Sequence, residues 1–225
     1  MKLRHKLALC IAFGTAQLAS AATLMLEAGA KANVANDEMV VMMGIERDGA
    51  DLASINQAIN LALAAALAEA KKITGVKASL ASINTSPNWT SQGKPLGWRV
   101  HGEIMLTSKE LASLGALAGQ LGQKLQISSI VFRLSDDARK EAEKRLMRDA
   151  AQAFKEKAND ASKALGFANY SIKDVGLNQG FQTSTRPMQM RGKSDSLKEF
   201  SKASVPTESG ESEVIVTFNG SIELK

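Results

Sequence analysis

The stretch LGWRVHGEIML at residues 96–106 carries the clearest structural pattern in this chain of 225 residues. Its apolar residues occupy alternate positions, the polar residues Arg99, His101 and Glu103 lie between them, and Met105 is the exception. Only a period of two residues places apolar and polar side chains on opposite faces in this way. The stretch therefore predicts a β-strand with one buried face and one solvated face.

Further strands are predicted on both sides of this stretch, and Leu24–Val34 and Val214–Leu224 show the same alternation. Met39–Ile45 differs because it is apolar throughout, which indicates a strand buried on both faces. The predicted strands besides residues 96–106 are Leu24–Val34, Met39–Ile45, Val76–Ile83, Ser129–Leu134, Tyr170–Leu177 and Val214–Leu224.

Three helices are predicted between these strands, because apolar residues recur there at steps of three and four. The third helix buries an alanine-rich stripe that includes Ala153 or Phe154 and that reaches Leu165. The predicted starts are Asp51, the capping box Thr107–Glu110, and Ser135 or Asp136, and the predicted ends are Gly75, Gly122 and Gly166. The order of elements predicts an α+β fold of mixed or antiparallel sheets with three main helices, in one lobe or two.

Two segments lack helical or strand periodicity and are predicted to be loops. Pro87–Gly97 contains two prolines and two glycines, which are typical of turns. Asn178–Ser212 is polar and rich in serine, lysine and glycine, so it offers too little apolar surface to offset the entropy of ordering it. We expect residues 178–212 to form a mobile loop.

The first 21 residues resemble a secretory signal peptide. A short cationic stretch precedes an apolar run at Leu7–Phe13, and Ala19-Ser20-Ala21 provides a cleavage site before Ala22. The apolar run is shorter than the roughly 20 residues that span a bilayer. We expect cleavage between Ala21 and Ala22, a periplasmic location, a domain at residues 22–225, and no integral membrane segment after cleavage.

Charge and cysteine content exclude several classes of function for the cleaved chain. The net charge is +5 for all 225 residues but +2 without the first 21, so a nucleic-acid partner is not expected. The single cysteine, Cys10, lies in the signal segment. Without it the chain has no thiol nucleophile, disulfide or Cys/His zinc site, and no cofactor is expected.

The residues that could carry chemistry are few. His101 lies between Arg99 and Glu103 on the solvated face of its strand, where it is either a general base or a solvated surface residue. Met188-Gln189-Met190 could hold Cu(I) through its two thioether groups, or it is incidental loop composition. The nucleophile-elbow and nucleotide-binding glycine motifs are absent from the sequence. No catalytic residue is therefore assigned, and Met188 and Met190 are weak metal candidates.

The two tryptophans, Trp89 and Trp98, flank the predicted loop at residues 90–97. Trp98 continues the apolar face of its strand, whereas Trp89 lies outside the strand pattern. Aromatic side chains are enriched at interface hot spots. Trp89 either docks on a neighbouring subunit or folds back beside Trp98 on its own sheet.

Several short motifs together resemble the periplasmic SIMPL-domain family, which includes oxidative-stress defence proteins and a periplasmic antigen used in serology. The motifs are Gly29, Asn36-Asp37, Pro87-Asn88-Trp89, Gly97-Trp98, Phe132–Asp136 and the helix through Lys157-Ala158 to Leu165-Gly166. Asn36 departs from the proline that the family usually has before this aspartate. The resemblance implies α+β lobes, periplasmic residence and, in some members, homo-oligomers, and it implies no catalytic residue.

These observations predict a non-enzymatic envelope protein that acts as a binding or self-assembling module in oxidative-stress tolerance. Its expected partners are further copies of itself or an envelope protein that the sequence does not identify. The alternative is a periplasmic copper binder or hydrolase that uses Met188 and Met190 or His101.

Overall fold

A computed structural model describes residues 22–183 and 209–225. The elements in chain order are β1 (Ala22–Ala35), β2 (Glu38–Gly49), α1 (Leu52–Ala70), β3 (Val76–Trp89), β4 (Pro95–Ser108), α2 (Leu111–Leu121), β5 (Gln126–Arg133), α3 (Asp136–Ala164), β6 (Tyr170–Thr183) and β7 (Glu211–Leu224). All strand pairs are antiparallel, in one sheet of order β1-β7-β6 and another of order β3-β4-β2-β5. The fold is therefore α+β, as predicted.

The three-stranded lobe consists of β1, β6, β7 and α3. Alternate residues of the central strand β7 are buried, and they pack against one face of α3. That face is formed by Ala142, Leu146, Ala150, Phe154, Ala158 and Ser162. The alanines let the helix lie close to the sheet, as the alanine-rich stripe indicated. Apolar residues of the edge strand β6, among them Ile172 and Val175, stay exposed.

The four-stranded lobe consists of β2 to β5 with α1 and α2 on one face. Its core joins Val41 and Met43 of β2 and Ile104 and Leu106 of β4 to both helices. Gly102 of β4 lies directly under α1: a Cβ atom there would approach Leu63 Cδ1 to 2.7 Å. The other face of this sheet carries the polar row that includes His101.

The predicted loop at Pro87–Gly97 is wrong in extent. β3 continues to Trp89 and β4 begins at Pro95, so the two strands form a long hairpin. The turn is closed by the Thr90 and Gly93 backbone N–H groups and by the Thr90 hydroxyl, which accepts from Lys94 N. Prolines and glycines here mark bends in an edge hairpin rather than the absence of strand pairing.

The ends of the predicted loop at residues 178–212 also belong to strands. β6 runs on to Thr183 and β7 begins at Glu211, and these ends pair with each other. Residues 184–208, with Met188 and Met190, lie outside the described residues. The mostly polar sequence at residues 178–183 concealed a strand, because cross-strand hydrogen bonds do not require an apolar pattern.

Two of the three predicted helix starts are confirmed. Asp51 Oδ1 accepts from Ala53 N, and Ser135 rather than Asp136 caps α3. The capping box Thr107–Glu110 is wrong: Thr107, its capping residue, still belongs to β4, and α2 begins only at Leu111. The hydroxyl of the neighbouring Ser108 donates to Gly75 O and accepts from Glu110 N, so it joins two loops.

The structure decides two points about the buried stripe predicted for α3: which of Ala153 and Phe154 belongs to it, and where it ends. Phe154, not Ala153, is the fully buried member of the stripe. The stripe ends at Ser162, and Leu165 is exposed instead of buried. The hydroxyl of Ser162 lies within hydrogen-bonding distance of Phe167 O and Asn169 O, which terminates the helix on a polar contact.

Candidate functional surfaces

His101 lies on the face of the four-stranded sheet opposite the helices, as the alternation in β4 predicted. Its register partner on β2 is Glu46. His101 Nδ1 is 3.9 Å from Glu46 Oε2, and Nε2 is 3.7 Å from Glu103 Oε1. The imidazole lies over Gly44, where an added Cβ would come within 2.9 Å of Cε1. Glycine at position 44 therefore makes room for the ring.

Arg99 of β4 and Asp48 of β2 form the next cross-strand pair on the same face of the sheet as His101 and Glu46. Arg99 Nε and Nη2 donate to Asp48 Oδ1 and Oδ2 at 2.8 and 3.3 Å, and Nε is also 3.4 Å from Glu46 Oε1. The hydrogen bond from Arg99 lowers the pKa of Asp48, and the same contact raises the pKa of Arg99. Both side chains are about half exposed, so solvent screens the pair strongly.

The residues around His101 limit the acid–base chemistry that its imidazole could perform. Both ring nitrogens face carboxylates, and within residues 22–183 and 209–225 no hydroxyl donates to either nitrogen. By register, the nearest residues across β3 are Asn84, opposite His101, and Ser82, opposite Glu103. A hydrolase would need a nucleophile within hydrogen-bond reach of its base. The observed arrangement is instead a row of polar and charged side chains on the face of the sheet opposite the helices.

No group of three or more histidine, cysteine or carboxylate side chains within the described ranges is arranged to hold a metal ion. The thioether candidates Met188 and Met190 lie outside those ranges. Met42 and Met105 face each other across β2 and β4 on the polar face and are half-buried. The sequence did not single out this pair, since Met105 stood as the exception in the pattern of its strand.

The hairpin of β3 and β4 extends past the end of β2 and carries both tryptophans. The last residue of β2, Gly49, is paired with Trp98, so residues beyond that point pair only within the hairpin. Gly97 has φ of +142°, and a side chain there would overlap Gly49 O. Trp89 is 55% exposed, and Leu96 and Trp98 are also exposed. The hairpin end therefore presents a cluster of large apolar side chains to solvent.

A buried polar junction joins the two lobes where β1 passes into β2. Asn36 is nearly fully buried, and its side chain donates to Ser209 O and accepts from Ser212 Oγ. Its backbone N–H donates to Gly210 O, and its carbonyl accepts from Ser209 Oγ. The asparagine side chain thus supplies both a donor and an acceptor to this junction.

Asp37 continues this junction toward α3. Its carboxylate accepts from the backbone N–H and the hydroxyl of Ser135, both at 2.7 Å, and Lys109 Nζ is 3.5 Å away. Partial burial alone would raise the pKa of Asp37, but the Ser135 hydrogen bonds and the Lys109 charge together lower it. Burial likewise works against the charge of Lys109, whose pKa is nevertheless raised by Asp37 and Asp137. The sequence motif Asn36-Asp37 is therefore structural.

α1 is the one helix among the described residues whose length and apolar composition would suffice to cross a membrane. In this structure one face of α1 packs on the four-stranded sheet through Ile55, Ile59 and Leu63.

Comparison with known proteins agrees with this architecture. The family described as "SIMPL: Protein of unknown function (DUF541)" matches residues 24–222, which include all the strands and helices apart from the first two residues of β1 and the last two of β7. No curated protein matches the chain. Because the match covers nearly the whole chain, this protein belongs to the SIMPL family.

Proposed function

We propose that this protein is an exported, non-enzymatic module of the bacterial envelope that assembles with further copies of itself through Trp89. One observation carries the proposal: the β3–β4 hairpin extends beyond its sheet and exposes Trp89 at its end. Large aromatic side chains that stay exposed in the protomer and are held by a rigid hairpin are typical of interface anchors. The partner subunit would bury the indole.

Export is supported by the first 21 residues and by the start of the fold. Ala22, the residue that would follow cleavage, is the first residue of β1. β1 pairs with β7 from this residue onward, with Ala22 opposite Leu224. The proposed cleavage site therefore leaves the strand intact. The periplasm is the compartment that this proposal implies, and a role in oxidative-stress tolerance rests on the family resemblance alone.

The competing function, a copper binder or a hydrolase, has weaker support. The ring nitrogens of His101 face Glu46 and Glu103 rather than a hydroxyl. A mostly polar surface around the histidine is consistent with a solvated sheet face. Met188 and Met190 lie outside the described residues.

Replacement of Trp89 tests the proposal. Light scattering should show wild-type protein larger than a protomer and Trp89→Ala at a lower mass, with circular dichroism unchanged because the indole is largely exposed. Met25→Ala is the matched control, since Met25 is an exposed apolar residue on the other lobe. A monomeric wild type, or a Trp89→Ala variant with wild-type mass, would contradict assembly through the hairpin.

A further inference from the structure

In the three-stranded lobe, α3 covers two strands of the sheet and leaves most of the third open. Its buried side packs on β1 and β7, in cores that include Val34, Val216 and Ile222. On the edge strand β6, Tyr170 reaches α3 and donates its hydroxyl hydrogen bond to Lys155 O. Beyond Tyr170 the same face of β6 continues beside α3 with its apolar side chains exposed.

The open part of β6 forms the floor of a groove along α3. Ile172 and Leu177 are the register partners of Ile222 and Phe218 on β7, so they lie on the α3 side of the sheet, and Val175 lies on that side between them. These three side chains are 41–53% exposed, although this face of an α+β sheet is normally covered by helices. The α3–β6 groove therefore has an apolar floor that α3 does not reach.

The wall of the α3–β6 groove is a row of α3 residues one helical turn apart, next to the buried row. Lys157 Nζ donates to Glu27 O of β1, which places β1 on one side of the buried row and β6 on the other. The row on the β6 side is formed by Glu143, Met147, Ala151 and Lys155. Glu143 is already paired with Arg139, whereas Met147 is exposed and Ala151 is half-buried. The middle of the wall is therefore apolar.

The rim of the α3–β6 groove, one row further from the sheet, is basic. It is formed by Lys140, Lys144 and Arg148, which follow one another at intervals of about 6 Å along the helix. All three side chains are exposed, and no ion pair joins them to another residue at 22–183 or 209–225. Acidic and basic residues are equal in number over these two ranges, so the rim is a local excess of positive charge.

An apolar seam flanked by a row of like charges is the pattern of a surface that binds a helix. Paired helices bury an apolar seam and place opposite charges on its flanks, and grooves that accept amphipathic helices use the same pattern. A helix about 10 Å in diameter fits beside α3 above β6, and the small side chain of Ala151 allows the two axes to approach to about 8–10 Å. Carboxylates at positions i, i+4 and i+8 of that helix would then lie alongside Lys140, Lys144 and Arg148.

We propose that the α3–β6 groove binds an acidic amphipathic helix of a partner protein. The shape of the groove disfavours a lipid bilayer, because α3 stands as a ridge about 10 Å high beside β6 and a flat surface would not reach the floor. A strand added to the edge of β6 would lie about 5 Å further from the basic rim than β6 itself.

The described helices of this chain do not match the required partner. α1 and α2 together contain one charged residue, Glu69, and the apolar row of α3 is already buried. The groove therefore calls for a different protein, and this inference is independent of the self-assembly proposed above.

A synthetic helical peptide tests the proposal directly. The probe has about 15 residues and spans about 22 Å, with leucine and alanine on one face, glutamate at positions i, i+4 and i+8 beside that face, and a label for fluorescence anisotropy. The wild-type chain should bind this peptide about tenfold or more tightly than a peptide with glutamine in place of glutamate. Lys144→Glu/Arg148→Glu should weaken binding by a similar factor, with circular dichroism unchanged because both side chains are exposed.

Two further variants separate the groove from general charge attraction. Lys77→Glu/Lys94→Glu is the matched control, because it makes the same change of charge at two exposed lysines of the other lobe, and it should keep the wild-type affinity. Leu177→Thr removes apolar surface from the floor and should weaken binding by about fourfold for each buried CH₂ group lost.

The proposal is overturned if the glutamate and glutamine peptides bind the wild-type chain equally, or if the two double variants bind the glutamate peptide alike. It is also overturned if neither peptide binds. In that last case, wild-type protein that sediments with phosphatidylethanolamine–phosphatidylglycerol vesicles, and Lys144→Glu/Arg148→Glu protein that does not, would identify an anionic bilayer as the occupant.

Discussion

The carboxylate of Asp37 holds the start of α3 against the junction between the lobes, and its removal should be costly. In Asp37→Ala the backbone N–H and hydroxyl of Ser135 lose their acceptor. Ser135 is 2% exposed, so water does not readily replace that acceptor. A buried donor without a partner costs about 1–3 kcal/mol, and the hydroxyl can reorient, so we expect a loss of about 2–4 kcal/mol.

Asp137→Ala is the matched control, because it removes an equal charge from the first turn of α3, beside the same Lys109. Asp137 also pairs with Lys109 at 3.5 Å, but its side chain is 86% exposed. The exposed ion pair of Asp137 and the interaction of its carboxylate with the helix dipole together contribute at most about 1 kcal/mol to the free energy of unfolding. Urea unfolding followed by circular dichroism measures both free energies. The reasoning is refuted if Asp37→Ala loses less than 1 kcal/mol or if the two variants lose the same amount.

Three further predictions follow from other features of the chain. Gly102→Val should lower the free energy of unfolding by about 1–3 kcal/mol, because its Cβ meets Leu63 and Ile59, and a urea midpoint equal to that of wild type would contradict this. Because the folded-state pKa of Asp37 is lowered, its stabilisation is complete above the unfolded value of about 3.9 and is lost as pH falls through the folded value. Wild-type stability should therefore fall more steeply below pH 4 than that of Asp37→Asn in acid titrations of unfolding. Intact-mass spectrometry of the periplasmic fraction should find a chain that begins at Ala22, and a mass that retains Cys10 would contradict cleavage.

Local signals in the sequence were sufficient to identify the seven strands and three helices among the described residues, although β3 and β6 extend further than predicted. The alternation at residues 96–106 correctly placed His101 on the polar face and Val100, Ile104 and Leu106 in the core, whereas Trp98 stays exposed. Asp51 and Ser135 were recognisable as caps because a helix N-terminus has unpaired N–H groups that a short polar side chain satisfies. Both signals depend on residues a few positions apart, so they can be recognised without knowledge of the fold.

Contacts between distant residues could be decided only by the tertiary structure. Glu46 comes to lie beside His101 because β2 pairs with β4, and Asn36 meets Ser212 because β7 returns to β1. Thr107 failed as a cap because it belongs to β4, where it pairs with Val40 of β2 and Lys77 of β3. Strand partners and side-chain bonds of this kind depend on which surfaces pack together. The sequence alone determined the periodicity of the elements and the caps Asp51 and Ser135, and packing determined which neighbours the resulting faces meet.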